Sequence, residues 1–285
     1  MDEISSLILG VCLILIMLGM GLSLTVDDFK RVVKRPKAIA IGLTNQLILL
    51  PIIGFLLANL LDLEPHLAIG LMILAACPGG ATSNLIAHLA RGDTALSVSL
   101  TAVASLITIF SIPFIVQLAL VEFQNNNQTI ELNKVQMVVQ LLAIVVVPVA
   151  LGMLIRFKKE AFAIRMDRPV RKASGFLLAL VTIWLFVKER EDIIPFFRQA
   201  GLATILLNIS TITLGFTSAR LARLGKRQGM SVAVESGIQN SALAVTIATI
   251  TLADTSYGII AAIYTLVMYA SGFSLIFFGR RTISV

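Results

Sequence analysis

Nine stretches of this chain are strongly apolar, and nearly all are long enough to cross a lipid bilayer. They cover residues 7–26, 38–58, 67–89, 95–121, 136–155, 173–187, 199–219, 230–252 and 257–278. A hydrocarbon core of about 30 Å takes roughly 20 helical residues. Inside it every backbone N–H and C=O needs a partner within the protein, which a helix supplies to itself. The residues are 57% hydrophobic and 14% charged, against about 25% charged in soluble domains. The expectation is therefore an all-α integral membrane protein with nine transmembrane helices. The first stretch follows Asp2 and Glu3 with no Lys or Arg before it. It exceeds a signal-peptide core and has no evident cleavage site, so it is expected to be a retained span.

The basic residues set an orientation. With the N-terminus outside, the inner segments are 27–37, 90–94, 156–172, 220–229 and 279–285, with 5, 1, 7, 4 and 2 Lys or Arg, which is 19 of the 23. The positive-inside rule then predicts the N-terminus out and the C-terminus cytoplasmic, in a cell (inner) membrane. The net charge of +7 is explained by the same loops and implies no nucleic-acid partner. Cys12 and Cys77 both fall in apolar stretches and imply buried thiols, not a disulfide framework.

Two of the nine stretches are interrupted. The third carries Cys77-Pro78-Gly79-Gly80-Ala81-Thr82-Ser83-Asn84 and the eighth Glu235-Ser236-Gly237-Ile238-Gln239-Asn240. They are five spans apart, an odd number, so a duplicated five-span unit would be inverted in the membrane. Nine spans are one short of two such units. Span one then pairs with six, two with seven, three with eight and four with nine, and the first unit lacks its opening helix. Transporters place matched broken helices this way, with substrate and ions held where they cross. The plainer reading is a proline kink in one span and a packing glycine in the other. It leaves unexplained why Asn84 and Asn240 both follow the break and why Glu235 sits there.

Glu235 is the only acidic residue inside an apolar stretch, and a carboxylate at that depth is costly unless paired. The groups able to share a cation with it are Gln239 and Asn240 in span eight, and Thr82, Ser83 and Asn84 in span three. Span four adds Ser97, Thr101, Ser105 and Thr108, whose spacing places them on one helical face. Such a hydroxyl stripe also serves helix packing or bonds to the preceding turn. Gln46 alone reads as interhelical glue. The N-terminal ends of the helix fragments after each break would attract an anion, with Thr82, Asn84 and Asn240 facing it.

These strings resemble the bile acid/sodium symporter family. The matching residues are Met20-Gly21-Leu22-Ser23-Leu24 through Asp28-Phe29, then Pro36 with Gly42-Leu43, Gln46 and Pro51. Cys77-Pro78-Gly79-Gly80 with Ser83-Asn84 follows, then Gly92-Asp93 and Leu96-Ser97 with Thr101, and last Glu235 to Asn240. They keep their order and spacing over most of the chain. The resemblance implies a panel domain (1–37 and 136–188) and a core domain (38–135 and 199–285) with two crossed broken helices. It implies two sodium sites. One takes Ser83, Asn84, Ser97, Thr101 and Glu235; the other takes Gln46, Glu235, Gln239 and backbone carbonyls near Ser236 and Ile238. Asn240 would contact substrate. The chain is similar to the nine-helix members, beginning at the second helix of the ten-helix ones.

The expected function is thus a sodium-coupled symporter importing an organic anion, bile acid-like or a small carboxylate such as pantoate, by alternating access. A passive channel or facilitator is the alternative. An intramembrane enzyme is disfavoured because the chain has neither paired membrane aspartates nor a His-Glu-x-x-His string, and it has no phosphate-binding loop for ATP. The expected partners are the organic anion, the bilayer and the coupling Na+, with the protein a monomer.

Overall fold

The computed structural model describes residues 3–124, 132–188 and 193–283. The expected outer segments around 125–131 and 189–192, and both extreme termini, lie outside the described residues. Among those described, twelve helices follow in order: α1 Glu3–Ser23, α2 Val26–Lys34, α3 Pro36–Leu60, α4 Pro65–Ala76, α5 Ala81–Leu89, α6 Thr94–Phe123, α7 Lys134–Lys158, α8 Glu160–Lys188, α9 Ile193–Leu221, α10 Lys226–Gly237, α11 Ser241–Thr251 and α12 Ser256–Thr282. Five are long and apolar enough to cross a membrane: α3, α6, α7, α12 and, within α9, Ala200–Leu221. Stretches three and eight are each split in two, α4 with α5 and α10 with α11.

Two expected inner loops are largely helical. The segment 27–37 holds α2, whose start is fixed by Asp28. Its carboxylate accepts from Thr25 N at 2.7 Å and Thr25 Oγ1 at 2.8 Å, and it also pairs with Arg31. The segment 156–172 is helical apart from Lys159, because α8 starts at Glu160 and runs straight into the short sixth stretch. Sequence pattern missed this because the first half of α8 is dense in Lys and Arg and contains Pro169, which read as a loop.

Three helix ends around the breaks recur at one sequence offset. Leu60, Pro65 and Ala76 match Leu221, Lys226 and Gly237. The hairpin turns recur as well. Leu63 N bonds Ala58 O and Asp62 N bonds Asn59 O; at the matching place Leu224 N bonds Ala219 O and Arg223 N bonds Arg220 O. Both close the last carbonyls of a helix by the same left-handed turn, with Asp62 at φ 46° and Arg223 at φ 54°.

Packing separates the helices into two sets. α1 lies along α7 and α8, whereas α4 packs on α3 and α6, and α9 packs on α10 and α12. Amphipathic α2 lies as a strap over α6 and α3, and the two sets touch directly where α6 meets α7, α8 meets α12 and α1 meets α11. Large apolar side chains that stay exposed, such as Phe110, Phe114, Leu118 and Val121 on α6, form the kind of surface that lipid covers.

The contact of α1 with α7 is backbone against backbone. A Cβ on Gly21 would stand 2.2 Å from Val149 O, and one on Gly152 would stand 2.4 Å from Leu18 O. With lipid tails as apolar as the side chains, such close approach is what holds membrane helices together. Gly152→Leu is therefore expected to lower the melting temperature in detergent or abolish monodisperse protein, by roughly 1–3 kcal/mol of overpacking. Gly201→Ala, inside α9 with only ordinary contacts at 3.6 Å and beyond, is the control and should not lower it.

Candidate cation and anion site

The two helix breaks meet. Gly79 and Gln239 form a single antiparallel bridge, and Asn240 N donates to Pro78 O at 2.8 Å. The unwound backbone of one span thus satisfies part of the other, as it must away from water. Pro78 has no N–H to offer, so the pairing runs through its carbonyl.

Glu235, on the last turn before the second break, is 1% exposed. Ser97 and Thr101 of α6 donate to its two oxygens, Ser97 Oγ to Oε1 at 2.5 Å and Thr101 Oγ1 to Oε2 at 2.8 Å. The same hydroxyls lie 2.9 and 3.2 Å from Asn84 Oδ1 on α5. Each hydroxyl has one proton, so three acceptor oxygens compete for two. Turning the Asn84 amide over would let its nitrogen donate to both hydroxyls and release them to Glu235, and its oxygen would then stand alone. In the arrangement drawn here, Asn84 Nδ2 is the buried atom without a partner. Ser83 Oγ donates to Gly80 O at 2.7 Å and lies 3.5 Å from Thr101 Oγ1. A Cβ on Gly79 would stand 2.6 Å from Glu235 Oε2 and 3.1 Å from Ser83 Oγ, so glycine keeps this space open.

Among the described residues, the salt bridges link no Lys, Arg or His to Glu235. Two hydrogen bonds to a charged group contribute about 1.5–3 kcal/mol each. The penalty for burying an ion is several kcal/mol even after relaxation. The two terms are of similar size, so the hydroxyls leave little surplus, and a bound monovalent cation would stabilise the charge further.

A second group of oxygens adjoins Glu235 on the other side. Gln46 Nε2 donates to Glu235 O at 3.3 Å and Gln239 Nε2 to Ser236 O at 2.8 Å. The amide oxygens of both glutamines are buried without a donor. Ile238 is fully buried, and its N–H makes the last bond of α10, to Val234 O at 2.8 Å. The carbonyls of residues 235–237 therefore lack the usual donor four residues on. Gln46 lies in a π-turn of α3, Asn45–Leu49, and both Asn45 and Gln46 are buried. A π-turn of this kind is a frequent mark of functional sites.

The candidate anion contacts divide. Thr82 and Asn240 line a cavity of about 100 Å³ together with Ile16, Met17, Met268 and Tyr269. Asn84 does not line it; its amide belongs to the Glu235 cluster, and the residue borders a smaller cavity with Ser23 and Thr94. Asn240 Oδ1 caps α11 by accepting from Leu243 N at 3.1 Å. The hydroxyl stripe divides too. Ser97 and Thr101 reach Glu235, whereas Ser105 and Thr108 bond back to carbonyls of their own helix, at 2.7 and 3.2 Å.

Sequence reasoning passed over three buried groups near the break. Asn45 Nδ2 donates to Ser218 Oγ at 2.8 Å. Asn208 Nδ2 and Tyr264 Oη both donate to Gly237 O, at 2.7 and 2.8 Å. The available signal was polarity within an apolar stretch, which Asn208 shares with many harmless residues.

Comparison with known proteins gives a consistent result. A family model described as the Sodium Bile acid symporter family matches residues 10–195, more than half of the chain. The sodium-dependent transporter YocS of Bacillus subtilis is 31% identical over 82% of this chain and 71% of its own length. A chloroplastic "Probable sodium/metabolite cotransporter BASS1" of Arabidopsis thaliana is 30% identical, and this chain spans only 57% of its length. The ileal sodium/bile acid cotransporter of Homo sapiens is 28% identical over 87% of this chain and 70% of its own. With this coverage, the chain belongs to the sodium bile acid symporter family.

Proposed function

We propose that the chain is a sodium-coupled secondary transporter that imports an organic anion by alternating access. The observation that carries the reading is Glu235, a buried carboxylate without a basic partner in a cluster that holds more acceptor oxygens than donated protons. A sodium ion bound there would be coordinated by Ser83, Asn84, Ser97, Thr101 and Glu235. A second would use Gln46, Glu235, Gln239 and the carbonyls of Ser236 and Ile238. The unpartnered amide oxygens of Gln46 and Gln239 support that set. With two cations, Glu235 and an anionic substrate, the loaded site is close to neutral, which lowers the cost of carrying charge through a low-dielectric core.

The offset shared by three helix ends, and the shared turns at Asp62 and Arg223, support an inverted repeat of nine spans. In this reading α1, α2, α7 and α8 form the panel, and α3–α6 with α9–α12 form the core. The substrate cavity lies between them, α1 supplying Ile16 and Met17 and the core supplying Thr82, Asn240 and Tyr269. The N-terminus is outside and the C-terminus cytoplasmic. The volume, about 100 Å³, suits a small carboxylate such as pantoate; drug-sized ligands take about 300–1,000 Å³, so a bile acid would need the cavity to widen.

Glu235→Gln keeps the shape of the side chain and removes its charge. It is expected to fold and to lose sodium-driven uptake into proteoliposomes. In thermal unfolding, sodium at 100 times its Kd should stabilise the unaltered protein by about 2.7 kcal/mol for each ion bound, relative to choline, and Glu235→Gln by close to nothing. Sodium-dependent uphill uptake by this variant at the normal rate would remove Glu235 from the ion site.

Coupling is reciprocal, so sodium and substrate should each tighten the other by one shared factor, commonly about 5–150-fold. Calorimetry with a transported carboxylate, in sodium and in choline, measures it. Asn240→Asp keeps the cap on α11 but sets a negative charge toward the cavity, so it should weaken substrate binding more than sodium binding. Gln239→Ala should do the reverse. Equal substrate affinity in the two salts would favour a passive facilitator.

A further inference from the structure

Three consecutive carbonyls, those of Glu235, Ser236 and Gly237, are released where α10 unwinds. The first two are held by the glutamine amides of Gln46 and Gln239. The third is held differently. Asn208 Nδ2, from α9, donates to Gly237 O at 2.7 Å, and Tyr264 Oη, from α12, donates to it at 2.8 Å. The two donors also touch each other, with Asn208 Nδ2 3.2 Å from Tyr264 Oη. Both residues are buried, Tyr264 completely, and it is among the largest side chains so enclosed.

We propose that Asn208 and Tyr264 are positioning residues for sodium, clamping the Gly237 carbonyl so that the carbonyls of Ser236 and Ile238 are presented to the ion at fixed spacing. The inference rests on the sodium-coupled reading above. The peptide unit is planar, so fixing the oxygen of Gly237 from two sides also fixes the N–H of Ile238. Only the torsions at the neighbouring α-carbons remain free. A single donor would leave the plane free to tilt; two donors from different helices do not. The clamp also ties the ion segment to α9 and α12, so a movement of either helix would change the spacing of the ligands.

An ordinary role as interhelical glue makes a different forecast. If a broken helix of this form needed such a pair merely to hold together, the other break would have one. At the offset that matches the ends of α4 and α10, the counterpart of the Gly237 carbonyl is that of Ala76, and no Asn or Tyr side chain among the described residues donates to it. The pair serves only the break that carries Glu235.

Tyr264→Phe removes one donor and keeps the ring. Asn208→Leu removes the other, and provides an independent variant should one fail to fold. Melting temperature is followed in purified protein as sodium replaces choline at constant ionic strength, and again with lithium. Each variant should show half-saturating sodium raised about five- to tenfold, as expected for one lost hydrogen bond. The preference for sodium over the smaller lithium should fall, while full stabilisation at saturating sodium is retained. A structural role alone would lower the melting temperature equally in all three salts. If the unaltered protein responds to sodium and Glu235→Gln does not, yet both variants keep the normal half-saturation and lithium preference, the positioning role is overturned. No sodium response in the unaltered protein overturns the sodium-coupled reading and the clamp with it.

Discussion

The burial of one carboxylate where two helices lose their backbone hydrogen bonds governs the arrangement around it. Broken helices expose carbonyls that lipid cannot satisfy, so the breaks must lie inside the protein and face one another. They do so through the Gly79–Gln239 bridge and the bond from Asn240 N to Pro78 O. Having met, they place Glu235 against α6, whose Ser97 and Thr101 are the nearest hydroxyls able to donate to it. Glycine at 79 follows from the same constraint, since any side chain there would enter the space beside the carboxylate.

The rest of the core is organised to hold those elements in register. Asp93, in the turn between α5 and α6, caps α6 through Leu96 N at 3.1 Å and forms an ion pair with Arg35 at the junction of α2 and α3. Its backbone oxygen accepts from Ser231 Oγ at 2.8 Å, and its N–H donates to Arg227 O at 3.0 Å. One short turn therefore links the helix that supplies the hydroxyls, the helix that supplies Glu235 and the strap α2.

The hydroxyl stripe of α6 shows how far sequence pattern reaches into a site. Its spacing put four hydroxyls on one face, and all four are on that face. Only Ser97 and Thr101 lie level with the break; Ser105 and Thr108 are farther along the helix and find no acceptor but their own backbone. Asn84 is the complementary case. It sits just past a break, as an anion contact would, yet its amide is drawn into the acceptor-rich cluster because Ser97 and Thr101 are within hydrogen-bond reach.

Apolar runs, the Pro-Gly-Gly string and the one acid inside an apolar stretch determined that the chain is helical, membrane-embedded and broken at two places, because hydrophobicity and backbone freedom are local properties written residue by residue. The order of the family strings added which side chains to watch. Tertiary structure alone decided which carbonyls are free and which are clamped. Asn208 and Tyr264 lie far from Gly237 in the chain, and nothing in their own stretches says that a carbonyl on another helix needs two donors. It also decided that the charged segment before the sixth apolar stretch continues α8 as helix, and that α1 and α7 touch through glycine backbones. Those outcomes depend on what stands opposite each residue across an interface, and a linear sequence carries no coordinate for that.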